Sequence, residues 1–225
     1  MSYTTFAGST EERNEHFFSL VTSTIVLIAS SVEPANVVYD NFGFTFNYMT
    51  YKDLRINSAA LYSLKDACIA IETVNALLER YPVSEDQIKE GLANTFMPVR
   101  MEVVSKSPLI IIDGSHNPEG VQNMVKSIPS LAENRPVHVL FACFTDKNIE
   151  RMLSYLGEYA ADITLTTFPN RRARQMDDYF LFLEDYPFKD DAASALEELK
   201  AQYPEDAILV TGSLAFAAYM KNFVK

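Results

Sequence analysis

Four short strand-like runs, Leu109–Ile112, Val137–Phe141, Ile163–Thr167 and Ala207–Val210, are each followed in turn by a segment of helical period. This alternation constrains the fold more than any other feature of the chain. The first and last runs, LIII and AILV, are apolar throughout, which marks strands covered on both faces. Behind them come a helix from Pro118 with Val121, Met124, Val125 and Ile128 inward, and a helix carrying Ile149, Met152, Leu153 and Leu156. Helices over Ala192–Gln202 and Ser213–Phe223 complete the pattern, and a further strand is expected at Met101–Val104. Strand–helix alternation of this kind predicts an α/β fold: a mostly parallel sheet, helices on both faces, and right-handed crossovers.

The earlier residues follow a different grammar. Thr24–Ala29 is apolar and β-branched, and Phe42, Phe44, Phe46 and Tyr48 alternate with smaller or polar residues as in a half-buried strand. A helix is expected from Ser58 to Arg80, with Leu61, Leu64, Ala67, Cys68, Ile71, Val74 and Leu78 as its stripe. Ser84 and Gln87 make a capping box that opens a second helix toward Leu92, and Pro98 ends that pattern. The β-rich first ~56 residues are too small a piece for a core of their own and read as the tail of a larger domain. The expected division is 1–99, a remnant of that domain, and 100–225, a domain in its own right. Apolar strands short of partners also predict an exposed edge that favours self-association.

Leu20–Ala29 is too short to span a bilayer, and Glu11 and Glu12 stand where a signal peptide would be basic. It reads as a buried strand entered from a short helix around Glu11–Phe18, and no membrane partner is expected. A net charge of −11 repels phosphate backbones and argues against nucleic acid. Cys68 and Cys143 give neither a disulfide framework nor a zinc pattern, which fits the cytoplasm. None of the three histidines pairs with another, so no metal site is expected.

Ligands of open parallel sheets bind beyond the carboxyl ends of the strands. After the first run comes Asp113-Gly114-Ser115-His116-Asn117-Pro118. Pro118 suits the first helical position and Asn117 the cap, which places Asp113 and His116 at a helix start that favours anions. Alternatively, Asp113 caps the turn and His116 is merely exposed. After the second run comes Thr145-Asp146-Lys147-Asn148, in which Asp146 is an N-cap and Lys147 is solvated, or the two grip the ammonium and carboxylate of an amino acid. After the third, Asn170-Arg171-Arg172-Ala173-Arg174 is basic; its forks suit carboxylates and phosphates, or pair with Asp177 and Asp178. After the fourth, Ser213 opens the last helix, as a cap or as a donor to a substrate carboxylate. No glycine is followed by lysine, so a P-loop is absent from these residues, and so is Gly-x-Gly-x-x-Gly.

DGSHNP at Asp113–Pro118 resembles the DGAHNP signature of folylpolyglutamate and dihydrofolate synthases in the Mur ligase superfamily. MPVRME at Met97–Glu102 resembles the WPGRME-like segment upstream of it, TDKN at Thr145–Asn148 the ADKD turn, and TGSLAFAA at Thr211–Ala218 the final TGS-plus-helix. ASSVEP at Ala29–Pro34 and Asp66-Ala67 are weaker echoes of the central domain. The resemblance implies a Rossmann-like C-terminal ligase domain preceded by a truncated central-domain remnant. It also implies a chemistry: ATP and Mg²⁺ phosphorylate a folate carboxylate, and the amine of L-glutamate then attacks the acyl phosphate. By family motif Arg100, Asp113, His116 and Asn117 would face the nucleotide, with Asp113 and His116 catalytic. Asp146, Lys147, Ser213 and Arg172 would face glutamate. Departures are Ala142 for glycine before the DK turn, Met97 for Trp, Val99 for Gly, and Asp66 for Asn. The P-loop half is missing, so this chain alone is expected not to turn over ATP. The alternative is a non-enzymatic module that holds folate, nucleotide or glutamate.

Overall fold

The computed structural model describes residues 32–40 and 42–224. The strand expected at Leu20–Ala29 and the helix around Glu11–Phe18 lie outside the described residues. The chain forms two compact units. One comprises the stretch ending at Val38 together with Thr45–Ile56 and Ser63–Thr95; the other comprises Tyr39–Phe44, Asn57–Tyr62 and everything from Phe96 on.

Three strands, β1 (Ala35–Asp40), β2 (Gly43–Tyr48) and β3 (Tyr51–Ile56), form a sheet in that order. The alternation of aromatics holds: Phe44, Phe46 and Tyr48 are buried. In the first unit, helix α1 (Ser63–Leu77) buries Leu64, Ala67, Cys68 and Ile71. The same helix buries Glu72, whose carboxylate accepts from the Tyr48 hydroxyl at 3.1 Å. Helix α2 (Glu85–Asn94) begins with the capping box that Ser84 and Gln87 encode, and it packs on β3. Among the described residues β1 is an outer strand of this sheet, with Val37 and Val38 exposed.

The second unit is built on six strands: β4 (Glu102–Lys106), β5 (Leu109–Ile112), β6 (Val137–Phe141), β7 (Asp162–Thr166), β8 (Phe188–Lys189) and β9 (Ala207–Thr211). Their order is β4-β5-β9-β6-β7-β8, and all pairs but β4–β5 are parallel. β4 runs antiparallel because two residues separate it from β5, far fewer than a parallel crossover needs. Helices α3 (Pro118–Val125), α4 (Ile128–Ala132) and α5 (Ile149–Gly157) cover one face, packed on Ile111, Val139 and Leu209. Helices α6 (Ala192–Gln202) and α7 (Leu214–Met220) cover the other, packed on Ile110, Ile112, Leu140, Ile208 and Val210. Adjacent residues of β5 and β9 thus serve opposite cores, which is why LIII and AILV carry no polar position. The chain steps outward from β5 to β8 beneath one layer of helices and returns to β9 beneath the other. A single crossover hand demands that change of face. Among the described residues no helix is long and apolar enough to cross a membrane.

Three details differ from the sequence expectation. The first helix starts at Ser63, not Ser58, because Ala59 and Ala60 are buried in the core of the large sheet and the Leu61 amide donates to Ser127 Oγ at 2.9 Å. Leu61, expected in the stripe, is exposed. The helix from Pro118 breaks into α3 and α4, since Pro129 has no amide to return to the preceding turn. Finally, the stretch after β7 contains a 3₁₀ helix, Met176–Phe182, and the two-residue strand β8, neither of which its sequence pattern announces.

Candidate functional site

The Asp113 carboxylate is fully buried, at 0% exposure, and accepts three hydrogen bonds. Oδ1 takes the Ser115 amide at 2.8 Å; Oδ2 takes the Met101 amide at 2.9 Å and the Tyr62 hydroxyl at 3.0 Å. It therefore holds its own turn together and points inward. Gly114 packs closely there: a Cβ would displace the Leu214 side chain, 2.6 Å away at Cδ1, and press on the Leu214 Cα at 3.2 Å and the Val99 carbonyl at 3.3 Å. Asn117 caps α3, its Oδ1 accepting from the Gly120 amide at 2.7 Å, and Pro118 follows at the first helical position. His116 is half-buried, with Nδ1 3.1 Å from the Gly114 carbonyl. A carbonyl only accepts, so Nδ1 carries the hydrogen and Nε2 is left facing away from that bond.

Arg100 lies at the same rim because β4 is antiparallel to β5, with Glu102 opposite Ile112. Its neighbours Val99 and Met101 both have left-handed backbone, φ 54° and 45°. For a β-branched residue that conformation costs about 1–3 kcal/mol. Three bonds hold it: Val99 N to Glu102 Oε2 at 2.8 Å, Gly114 N to Val99 O at 2.7 Å, and Met101 N to Asp113. Glu102 is fixed in turn by Lys221 at 2.7 Å. Among the described residues the Arg100 guanidinium has no hydrogen-bond or ion-pair partner.

The second and third turns interlock. Phe144 and Ala173 form an antiparallel bridge, and the Thr145 amide donates to the Arg172 carbonyl at 3.0 Å. Asp146 pairs with Lys147 Nζ at 2.9 Å and Arg172 Nη2 at 3.0 Å. Those two cations, Lys147 first, hold its carboxyl down at about 2. Two cations and one carboxylate leave the cluster one positive charge in excess. It thus offers a carboxylate-seeking end and a carboxylate that an ammonium can share. Arg172 also lies over the Phe144 ring at 4.5 Å. The Asp177 and Asp178 carboxylates do not take the arginines. Arg174 instead donates to the carbonyls of Thr145, Lys147 and Asp178 at 3.0, 3.2 and 2.9 Å.

In the fourth turn Ser213 is buried and caps α7, accepting from the Ala215 amide at 3.2 Å. Gly212 has φ 112°, and a Cβ on it would lie 2.6 Å from the Ala142 carbonyl. Because β9 lies between β5 and β6 and runs parallel to both, the turns bearing His116, Ser213 and Lys147 leave three adjacent strands in the same direction. Arg100 and Arg172 flank them. Sequence reading missed Tyr62, Arg174 and Tyr179 as supports of this rim; only Arg174, inside the basic run, carried any signal. A cation without a partner, an outward imidazole and a helix start suit a phosphate-bearing nucleotide. Among the described residues no three His, Cys, Asp or Glu side chains gather as a metal site.

Residues 99–214 match a family model described as Mur ligase, glutamate ligase domain. The folylpolyglutamate synthase of Lacticaseibacillus casei is 29% identical over 172 residues, 76% of this chain and 40% of that protein. The dihydrofolate synthase/folylpolyglutamate synthase of Bacillus subtilis is 25% identical over 224 residues, 95% of this chain and 50% of its own length. Folylpolyglutamate synthase of Mycobacterium tuberculosis complexed with ADP shares the fold, with a TM-score of 0.76 at 18% identity over 87% of this chain and 48% of that one. The chain spans about half the length, or less, of the relatives it matches.

Proposed function

Since the chain belongs to the Mur ligase family and carries its glutamate ligase domain, we propose that its sheet rim is one wall of a site that joins L-glutamate to a folate. ATP, when bound, supplies the activation that turns a carboxylate into an acylating group. Arg100, His116 and the Glu119 amide in the first turn of α3 bind its phosphates; Asn117 fixes where that helix begins by taking the Gly120 amide, and Asp113 holds the turn. On the other side Lys147 and Arg172 draw the glutamate carboxylate, Asp146 accepts from its ammonium, and Ser213 donates to the substrate. No step is assigned to Mg²⁺, for which the described residues gather no ligand set.

The observation that carries this reading is the division of the rim: unpaired phosphate-type groups beside β5, and a charge triad matched to an amino acid beside β6. Titration of the ¹⁵N-labelled chain tests it. ADP is expected to shift His116 and the start of α3, L-glutamate to shift Asp146 and Lys147, and ATP not to be turned over. Absence of both sets of shifts refutes the proposal. Tight folate or glutamate binding with no response to nucleotide identifies a binding module in place of a ligase wall.

A further inference from the structure

The triad of Asp146, Lys147 and Arg172 stands on a loop, and loops hold charge geometry only when something braces them. We propose that Arg174 is the positioning residue that sets this loop's shape, an inference that rests on the glutamate reading above. Its Nη2 donates to two carbonyls that bracket Asp146, those of Thr145 at 3.0 Å and Lys147 at 3.2 Å. Nη1 donates to the Asp178 carbonyl at 2.9 Å, and its own amide donates to Cys143 O at 3.0 Å. Two carbonyls drawn to one nitrogen curl the main chain around the guanidinium. The Asp146 side chain, carried between those two carbonyls, stays half exposed.

The brace is itself anchored. Tyr179 is fully buried at 0% exposure, donates to the Thr166 carbonyl at 3.2 Å and receives the Cys143 amide at 3.4 Å, so it ties the ends of β6 and β7. Its ring lies 6.0 Å from the Arg174 guanidinium. The neighbouring arginines thus divide the work. Arg172, more than half exposed, sets the charge at Asp146, while Arg174 sets the backbone that carries it. Lysine cannot stand in for Arg174, because a single ammonium on a flexible stem does not reproduce a planar fork.

The test compares the full wild-type chain with Arg174→Lys and Arg174→Ala by amide NMR and by calorimetric titration with L-glutamate and, separately, ADP. Arg174→Lys is expected to shift the amides of residues 145–148, weaken L-glutamate about tenfold, the equivalent of one charge-assisted bond, and leave ADP affinity unchanged. Unmoved amides overturn the inference whether or not glutamate binds. Equal weakening of both ligands also overturns it, since a general loss of structure would do that. A wild-type chain that ignores L-glutamate refutes the site reading instead, and the amide comparison still decides the role of Arg174. If Arg174→Ala fails to fold, Arg174→Lys, which keeps the cation, carries the decision alone.

Discussion

Replacing Asp113 by asparagine keeps the side chain's shape and removes one acceptor from a buried turn that uses both. With its oxygen toward the Met101 amide and Tyr62 hydroxyl, the new NH₂ group faces the Ser115 amide, which also donates. Turned over, the NH₂ faces the Met101 amide instead, and only the Tyr62 hydroxyl can rotate to adapt. Either way one backbone N–H is buried against another donor, at about 1–3 kcal/mol, and the surviving bonds weaken as the acceptor loses charge. The sum is roughly 2–4 kcal/mol, or a fall in Tm of roughly 5–15 °C for a chain of this size. Urea and thermal unfolding of Asp113→Asn measure it, with Tyr62→Phe, which loses one hydroxyl bond, as an internal scale near ~1 kcal/mol. A second consequence separates support from mere bulk. Met101 N is one of three bonds holding left-handed backbone on both sides of Arg100, so Asp113→Asn should weaken ADP as well as the fold. Unfolding within about 0.5 kcal/mol of wild type, the scatter of an ordinary surface change, would refute the reasoning.

The Asp146 carboxyl, held at about 2 against its ordinary 3.8, favours the folded form above pH 4, and that contribution disappears as pH falls through 2; a ¹³C titration of Cγ is expected to show this, and a midpoint near 4 contradicts it. Arg172→Ala should move that midpoint up. Gly212→Ala forces a Cβ to 2.6 Å from the Ala142 carbonyl at φ 112°, and strain of roughly 1–3 kcal/mol should lower the thermal midpoint by several degrees; an unchanged Tm sinks the steric argument. Burial pushes the Cys68 and Cys143 thiols up to about 11, so at pH 8 both stay protonated and resist iodoacetamide until urea is added. Rapid labelling of the native chain, read by mass spectrometry, goes against this.

The strands of the large sheet are legible because buried parallel strands leave no polar position, and LIII and AILV meet that condition outright. The caps at Asn117 and Ser213 are legible for a similarly local reason, since each side chain bonds to an amide two or three residues on. The cap expected at Asp146 falls instead on Asn148, whose Oδ1 accepts from the Arg151 amide, while Asp146 is taken by two cations. What stays hidden is tertiary. Ala59 and Ala60 look like helix until Ser127 claims the next amide. Val99 gives no hint that two bonds, one from its amide to Glu102 and one from the Gly114 amide to its carbonyl, hold it in left-handed backbone. In the run NRRAR, composition says only that cations gather; which arginine reaches a carboxylate and which a carbonyl depends on the path of a neighbouring turn. The two-residue strand β8 is below the length at which any period can be read.

Strand β9 has one further bearing, on the order of assembly. It occupies the middle of the large sheet yet is drawn from residues 207–211, long after both of its neighbours. Until those five residues arrive, β5 and β6 have no bond to each other, and the slot between them exposes two apolar edges. Long-range closure of that sort is slow and leaves sticky intermediates. A ribosome must therefore release the chain through Thr211 before the barrier to the native state can be crossed. A stop codon ahead of Ala207 would leave a split, aggregating product rather than a smaller working one.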